Sequence, residues 1–227
     1  MEVSKDITAR RCRQPKTGNR NTVLVFLIML LFIHSIPSRG QSDDTKLKNR
    51  RNQIEALKAY YNKSHGKDSI EYQKLFFAAF PSDFSTFNSI YGYSDKKGPM
   101  PLYDTYEENI SFLCKLDAIY STKEYYNKLI ILGINGQWDA DAVEYLQECI
   151  LSHINENPDL TIALLKQHNT KEIRSFLRFL FDGPHPDNKY VKRDYNVLYK
   201  KIKLMDPLMA NLLREEYLKL VKNAKEE

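Results

Sequence analysis

Apolar residues recur three and four positions apart along most of this chain, which is the spacing of helix faces packed on a core. Leu47, Ile54, Leu57 and Tyr61 mark one face of a first helix, rich in Lys and Arg elsewhere. Further helices are predicted at about 69–79, stopping at Pro81, and from near Asp83 to Gly92. The later stripes are clearer. Ile173, Phe176, Leu177, Leu180 and Phe181 follow the i, i+3, i+4, i+7, i+8 rule, and Val191, Tyr195, Leu198, Ile202 and Met205 step by four and three. A last helix carries Met209, Leu212, Leu213, Tyr217 and Leu220. No stretch shows sustained strand alternation. The pattern predicts a single all-α domain of about nine helices in an irregular antiparallel bundle or stack.

Start and stop signals agree with that pattern. Ser121 with Glu124, and Asn169 with Glu172, have capping-box spacing, in which two side chains satisfy otherwise orphaned amides at a helix start. Asn157-Pro158 and Asp206-Pro207 each put a polar cap before a proline at the first helical position. Residues 92–103 form the longest loop, because Gly98-Pro99 and Pro101 do not fit a helix interior. No repeat of solenoid length is present, so a regular helical solenoid is not expected.

One apolar run breaks the amphipathic pattern. Val23 to Ile33 is uninterrupted, and Arg10, Arg11, Arg13, Lys16 and Arg20 precede it. A basic stretch, a short apolar core and small residues at Ser38 and Gly40 make a secretory signal, with cleavage expected before Gln41. Residues 1–40 then form the leader and 41–227 the helical domain, exported to the periplasm or out of the cell. Counted on through Ile36 the run holds 14 residues, His34 and Ser35 among them, and a membrane span needs roughly 20. An uncleaved signal-anchor at 23–36 is the alternative, and only then is a membrane a partner.

Composition changes the picture once the leader is set aside. The chain holds 34 Lys+Arg and 29 Asp+Glu, of which residues 1–40 carry seven and two, leaving 27 of each from Gln41 on. The net positive charge belongs to the leader. The remaining domain is neutral, so nucleic acid is not an expected partner. Two cysteines follow the leader, Cys114 and Cys149, both among apolar residues. They form either one disulfide, as an oxidising compartment permits, or two buried thiols, and their apolar settings favour the thiols.

Catalytic signatures are missing: there is no GxSxG elbow, phosphate loop, HExxH or EF-hand loop. No cofactor is expected, and no metal site is completed by CxxC or paired histidines. Three constellations remain. Asp182, His185 and Asp187 lie in a loop held by Pro184 and Pro186, where flanking carboxylates can orient an imidazole for binding a partner, a metal or a proton. The simpler reading is a helix stop at Gly183, with Asp187 or Asn188 capping the next helix. Tyr91, Tyr93, Pro99, Pro101 and Tyr103, together with Met100 and Leu102, make an aromatic, pre-stiffened loop suited to recognition; alternatively these side chains fold back on the core.

The third constellation is segregated charge. Lys189, Lys192, Arg193, Lys200, Lys201 and Lys203 crowd one helix, while Asp141, Glu144 and Glu148 line another beside Trp138 and Asp139. A basic helix suits anionic lipid or an acidic partner. Paired carboxylates suit a basic partner or acid–base hydrolysis, and both faces also read as simply solvated. The expected function is an exported, non-catalytic binding protein for another protein, of inhibitor or toxin-neutralising type. The alternative is a metal-dependent or acid–base hydrolase using Asp182, His185 and Asp187, or Glu144 and Glu148.

Overall fold

The computed structural model describes residues 39–139 and 141–226. Ten α-helices follow in chain order: α1 (Arg39–Lys63), α2 (Ser69–Ala79), α3 (Phe84–Tyr91), α4 (Tyr106–Leu113), α5 (Thr122–Gly133), α6 (Asp141–Glu156), α7 (Pro158–Leu165), α8 (Thr170–Phe179), α9 (Lys189–Met205) and α10 (Pro207–Asn223). The fold is all-α, with ten helices where the pattern predicts about nine. The chain divides into two units, Met1–Leu47 and Lys48–Glu227. Described residues of the first unit are the opening turns of α1, and the apolar leader lies outside the described residues. The second unit holds the core.

The helix starts are set locally. Asp83 accepts the Thr86 amide at 2.8 Å, and Asp206 accepts that of Met209 at 2.9 Å. Asn188, rather than Asp187, caps α9 by accepting from both Tyr190 and Val191. Each such cap stabilises its helix by about 1 kcal/mol. Asn169 and Glu172 close a complete capping box. At Ser121 the side chain accepts the Glu124 amide at 3.3 Å, which is one half of the expected box.

Packing follows the apolar stripes with two exceptions. Ile54 and Leu57 of α1 are buried, but Leu47 is exposed. Met205 is also left 37% exposed, because α9 ends there and the chain turns away at Asp206. Helices α8, α9 and α10 form one packed group, with α9 on α10 and α10 on α8; α4 lies on α6, and α5 touches α3, α6, α7 and α8. An aromatic chain through the core runs from Phe76 to Phe80 and Tyr91, then by Phe87 and Phe84 to Phe179. Full burial of each large apolar side chain contributes about 1.5–3 kcal/mol.

Two local expectations are corrected. The 92–103 loop contains a small antiparallel hairpin, β1 (Tyr93–Ser94) on β2 (Gly98–Pro99), in which Tyr93 faces Pro99. Strands of two residues are too short to show alternation, and Gly98, at φ 75°, supplies the left-handed turn position. Cys114 and Cys149 are joined in a disulfide with Cα atoms 5.8 Å apart, not left as two buried thiols. The bond fastens the end of α4 to the middle of α6. The α4–α6 contact brings the two thiols together, which their apolar sequence settings do not reveal.

Candidate functional site

The site is built around α6, whose two flanks carry different surfaces. On one flank, the α5–α6 turn sets Trp138. That turn needs close packing: a Cβ on Gly133 would meet the Phe176 ring, and one on Gly136 would strike the Phe179 ring. Asn135 adopts φ 60° and donates its amide to Ser175 Oγ at 3.1 Å. The Trp138 amide then donates to Asp182 Oδ2 at 3.0 Å, and the Arg178 guanidinium lies 3.4 Å from the same oxygen. Buried Gln147 donates to the carbonyls of Phe179 and Asp182 at 2.6 and 2.8 Å, tying α6 to the end of α8.

These ties leave a groove of about 330 Å³ between α6, the 182–188 loop and the start of α9. Trp138, Phe181 and Tyr190 supply its aromatic lining, and Leu151, Leu180 and Val191 its aliphatic lining. Glu144, Glu148 and Asp194 line it with His185. Burial, then the charges of Glu144 and Asp194, push the Glu148 carboxyl above the ordinary glutamate range. The groove is therefore acidic, with a carboxylate poised to gain from a neighbouring cation.

The other flank of α6 carries tyrosines. Tyr93 meets Tyr103 at 5.7 Å between ring centroids, Tyr103 meets Tyr106 at 5.5 Å, and Tyr106 meets Tyr145 at 5.2 Å. Tyr103 donates its hydroxyl to Asp141 at 3.2 Å. Burial first, and then the carboxylates of Asp141, Glu107 and Glu144, raise the Tyr106 hydroxyl above its usual range. Tyr145 is raised by burial and by Glu107 and Glu148. Glu144 and Glu148, which line the groove, are thus also among the carboxylates that raise Tyr106 and Tyr145 respectively.

The residues singled out from sequence divide accordingly. Asp182 and His185 line the groove, joined there by Glu144 and Glu148 from a separate constellation. Asp182 serves chiefly as a strut, with one carboxylate oxygen committed to Trp138 and Arg178. Asp187 is outside the groove and acts on Tyr217, whose hydroxyl it helps to raise after burial. Tyr93, Tyr103, Pro99 and Pro101 belong to the ladder side, and Tyr93, Pro99 and Pro101 are exposed. Tyr91 does not belong to any surface. It is fully buried, stacked on Phe80 and packed on Phe87, because Phe84, Phe87 and Tyr91 form the core stripe of α3.

Sequence reasoning missed Tyr106, Tyr145, Tyr190, Gln147 and Asp194. Tyr106 follows Tyr103 at helical spacing and Tyr145 adjoins Glu144, so a signal for these two was present. Among the described residues, no group of three or more His, Cys, Asp or Glu is placed to hold a metal ion. The chemistry available is recognition by aromatic contact and negative charge, together with one carboxyl of raised pKa in a groove that an imidazole also lines. Compared with protein-family models, curated proteins and solved structures, the chain matches none.

Proposed function

We propose that this chain is an exported, non-catalytic binding protein that recognises a basic segment of another protein through α6 and its two flanks. The observation that carries this reading is the acidic groove lined by Glu144 and Glu148 of α6, the helix whose Tyr145 ends the four-tyrosine ladder. Tyrosine gives large contact area at small entropic cost. Carboxylates around such a surface steer a cationic partner and select its register. Export is supported by the leader pattern, and the Cys114–Cys149 bond suits an oxidising compartment.

The test is partner capture from the extracytoplasmic fraction, followed by titration with the purified partner. Tyr103→Ala combined with Tyr145→Ala is expected to weaken binding by at least tenfold, and Glu144→Gln combined with Glu148→Gln to flatten its salt dependence. A saturable partner indifferent to both pairs would overturn the assignment of the surface. N-terminal sequencing of the exported protein should find Gln41 first. The hydrolase alternative draws on the same groove, since Glu148 of raised pKa and His185 both line it. It requires a hydrolytic activity lost in Glu148→Gln and in His185→Ala.

A further inference from the structure

The α6 groove takes only Tyr190, Val191 and Asp194 from the basic helix, and the basic side of that helix has a separate role. Val191, Tyr195, Leu198 and Ile202 hold α9 to the body, and Lys201 is drawn in to donate to the Asn155 carbonyl at 3.0 Å. Lys189, Lys192, Arg193, Lys200 and Lys203 remain exposed along the outer side. The single acid on α9, Asp194, pairs with Arg193 at 2.9 Å and belongs to the groove. Apolar side chains stand among these cations. Val197 is 44% exposed, Leu204 89% and Leu208 78%, the last two on either side of the turn into α10.

That turn is tied at Asp206. Asp206 caps α10, is itself buried, and pairs with Lys166 at 2.6 Å. Two leucines are thus held out into water on a fixed corner, with lysines beside them. An interfacial helix has this arrangement: apolar residues dip below the headgroups while cations stay at their level. Among the described residues no helix is long and apolar enough to cross a membrane, so the contact is one of lying on the surface.

We infer that the outer face of α9 and the Leu204–Leu208 corner dock on an anionic lipid bilayer. The rows of cations specify negative headgroups, and the two leucines specify a bilayer in place of an acidic protein. Docking leaves the α6 groove to its own partner, and this inference does not depend on what that partner is.

The experiment is co-sedimentation of the protein with vesicles of phosphatidylcholine alone or mixed equally with phosphatidylglycerol. Wild type and variants are prepared in the same form and compared with one another, so whatever the N-terminal segment contributes is common to all. Binding is expected to favour the mixed vesicles, to fall about fivefold for each lysine removed in Lys200→Gln and Lys203→Gln, and to fall about tenfold or more in Leu204→Ser with Leu208→Ser. A site-specific reading comes from Leu204→Trp, whose emission should shift to the blue on mixed vesicles, beyond any change in wild-type Trp138. An unshifted Leu204→Trp overturns the inference even if the protein sediments. So does dependence on the lysines with none on the leucines, which would indicate a purely electrostatic protein contact.

Discussion

Tyr91 and Tyr93 stand two residues apart and have opposite roles. Both belong to a Tyr- and Pro-rich stretch whose composition suits recognition, but Tyr91 completes the Phe84–Phe87 stripe of α3 and is 0% exposed, whereas Tyr93 faces solvent on β1. Burial drives the Tyr91 hydroxyl far above its usual pKa despite the neighbouring Asn109 amide. Tyr91→Ala is therefore expected to cost about 3–5 kcal/mol by denaturant unfolding. Tyr93→Ala should fall within about 0.5 kcal/mol of wild type, and weaken only partner binding. Equal destabilisation by the two would contradict the assignment. The 3–4 spacing of Phe84, Phe87 and Tyr91 was readable in the sequence; the nearby glycine and prolines drew attention to the loop instead.

Between elements, a lysine unnoticed in the sequence does much of the fastening. Lys128 of α5 donates to the carbonyls of Phe77 and Phe80 at 2.6 and 2.9 Å and lies over the Phe77 ring, so it closes the end of α2. Burial lowers its pKa to about 8, against a small opposing pull from Glu124. Because the unfolded chain holds that proton more tightly, this group makes stability rise as pH increases from about 8 towards the ordinary lysine value near 10.4. Tyr91 and Tyr125 act oppositely above about pH 10, since burial keeps them protonated while unfolded tyrosines ionise. The denaturation midpoint is thus expected to climb from pH 7 to a maximum near pH 9–10 and then fall. Lys128→Met should remove the climb and leave two carbonyls unpaired, at a cost of about 1–3 kcal/mol. An unchanged pH profile in Lys128→Met would refute this account. No periodicity marks such a residue, because its partners are backbone atoms 48 and 51 positions away.

At the scale of the whole molecule, the Cys114–Cys149 bond closes a stretch of 35 residues that includes α5 and the turn bearing Trp138. Constraining a loop of that length in the unfolded chain stabilises the fold by about 3–4 kcal/mol. Cys114→Ser with Cys149→Ser should lower the melting temperature, and a reducing agent should lower the wild type to the same value without affecting the double variant. Insensitivity of the wild type to reduction would count against the bond. A second long-range tie joins α8 to α10, where Arg174 bridges Glu215 and buried Glu216 at 2.7 and 2.6 Å. Neither tie is visible in a one-dimensional pattern, since each depends on which helices become neighbours.

By itself the sequence determined that the fold is helical, the caps at Asn157, Asn169 and Asp206, and the core stripes of α8 to α10, because apolar spacing and capping chemistry act within a turn or two of chain. It also determined that the excess positive charge lies in the first 40 residues. Only the tertiary structure decided that Asp182 and His185 would share a groove with Glu144 and Glu148. It likewise joined four tyrosines from the hairpin, the 3-10 turn at Tyr103–Thr105, α4 and α6 into one ladder, and left Leu204 and Leu208 outside the core. Those outcomes depend on contacts between residues tens of positions apart. Local spacing specifies which face of a helix is apolar, but packing selects what that face meets and which side chains remain for a partner.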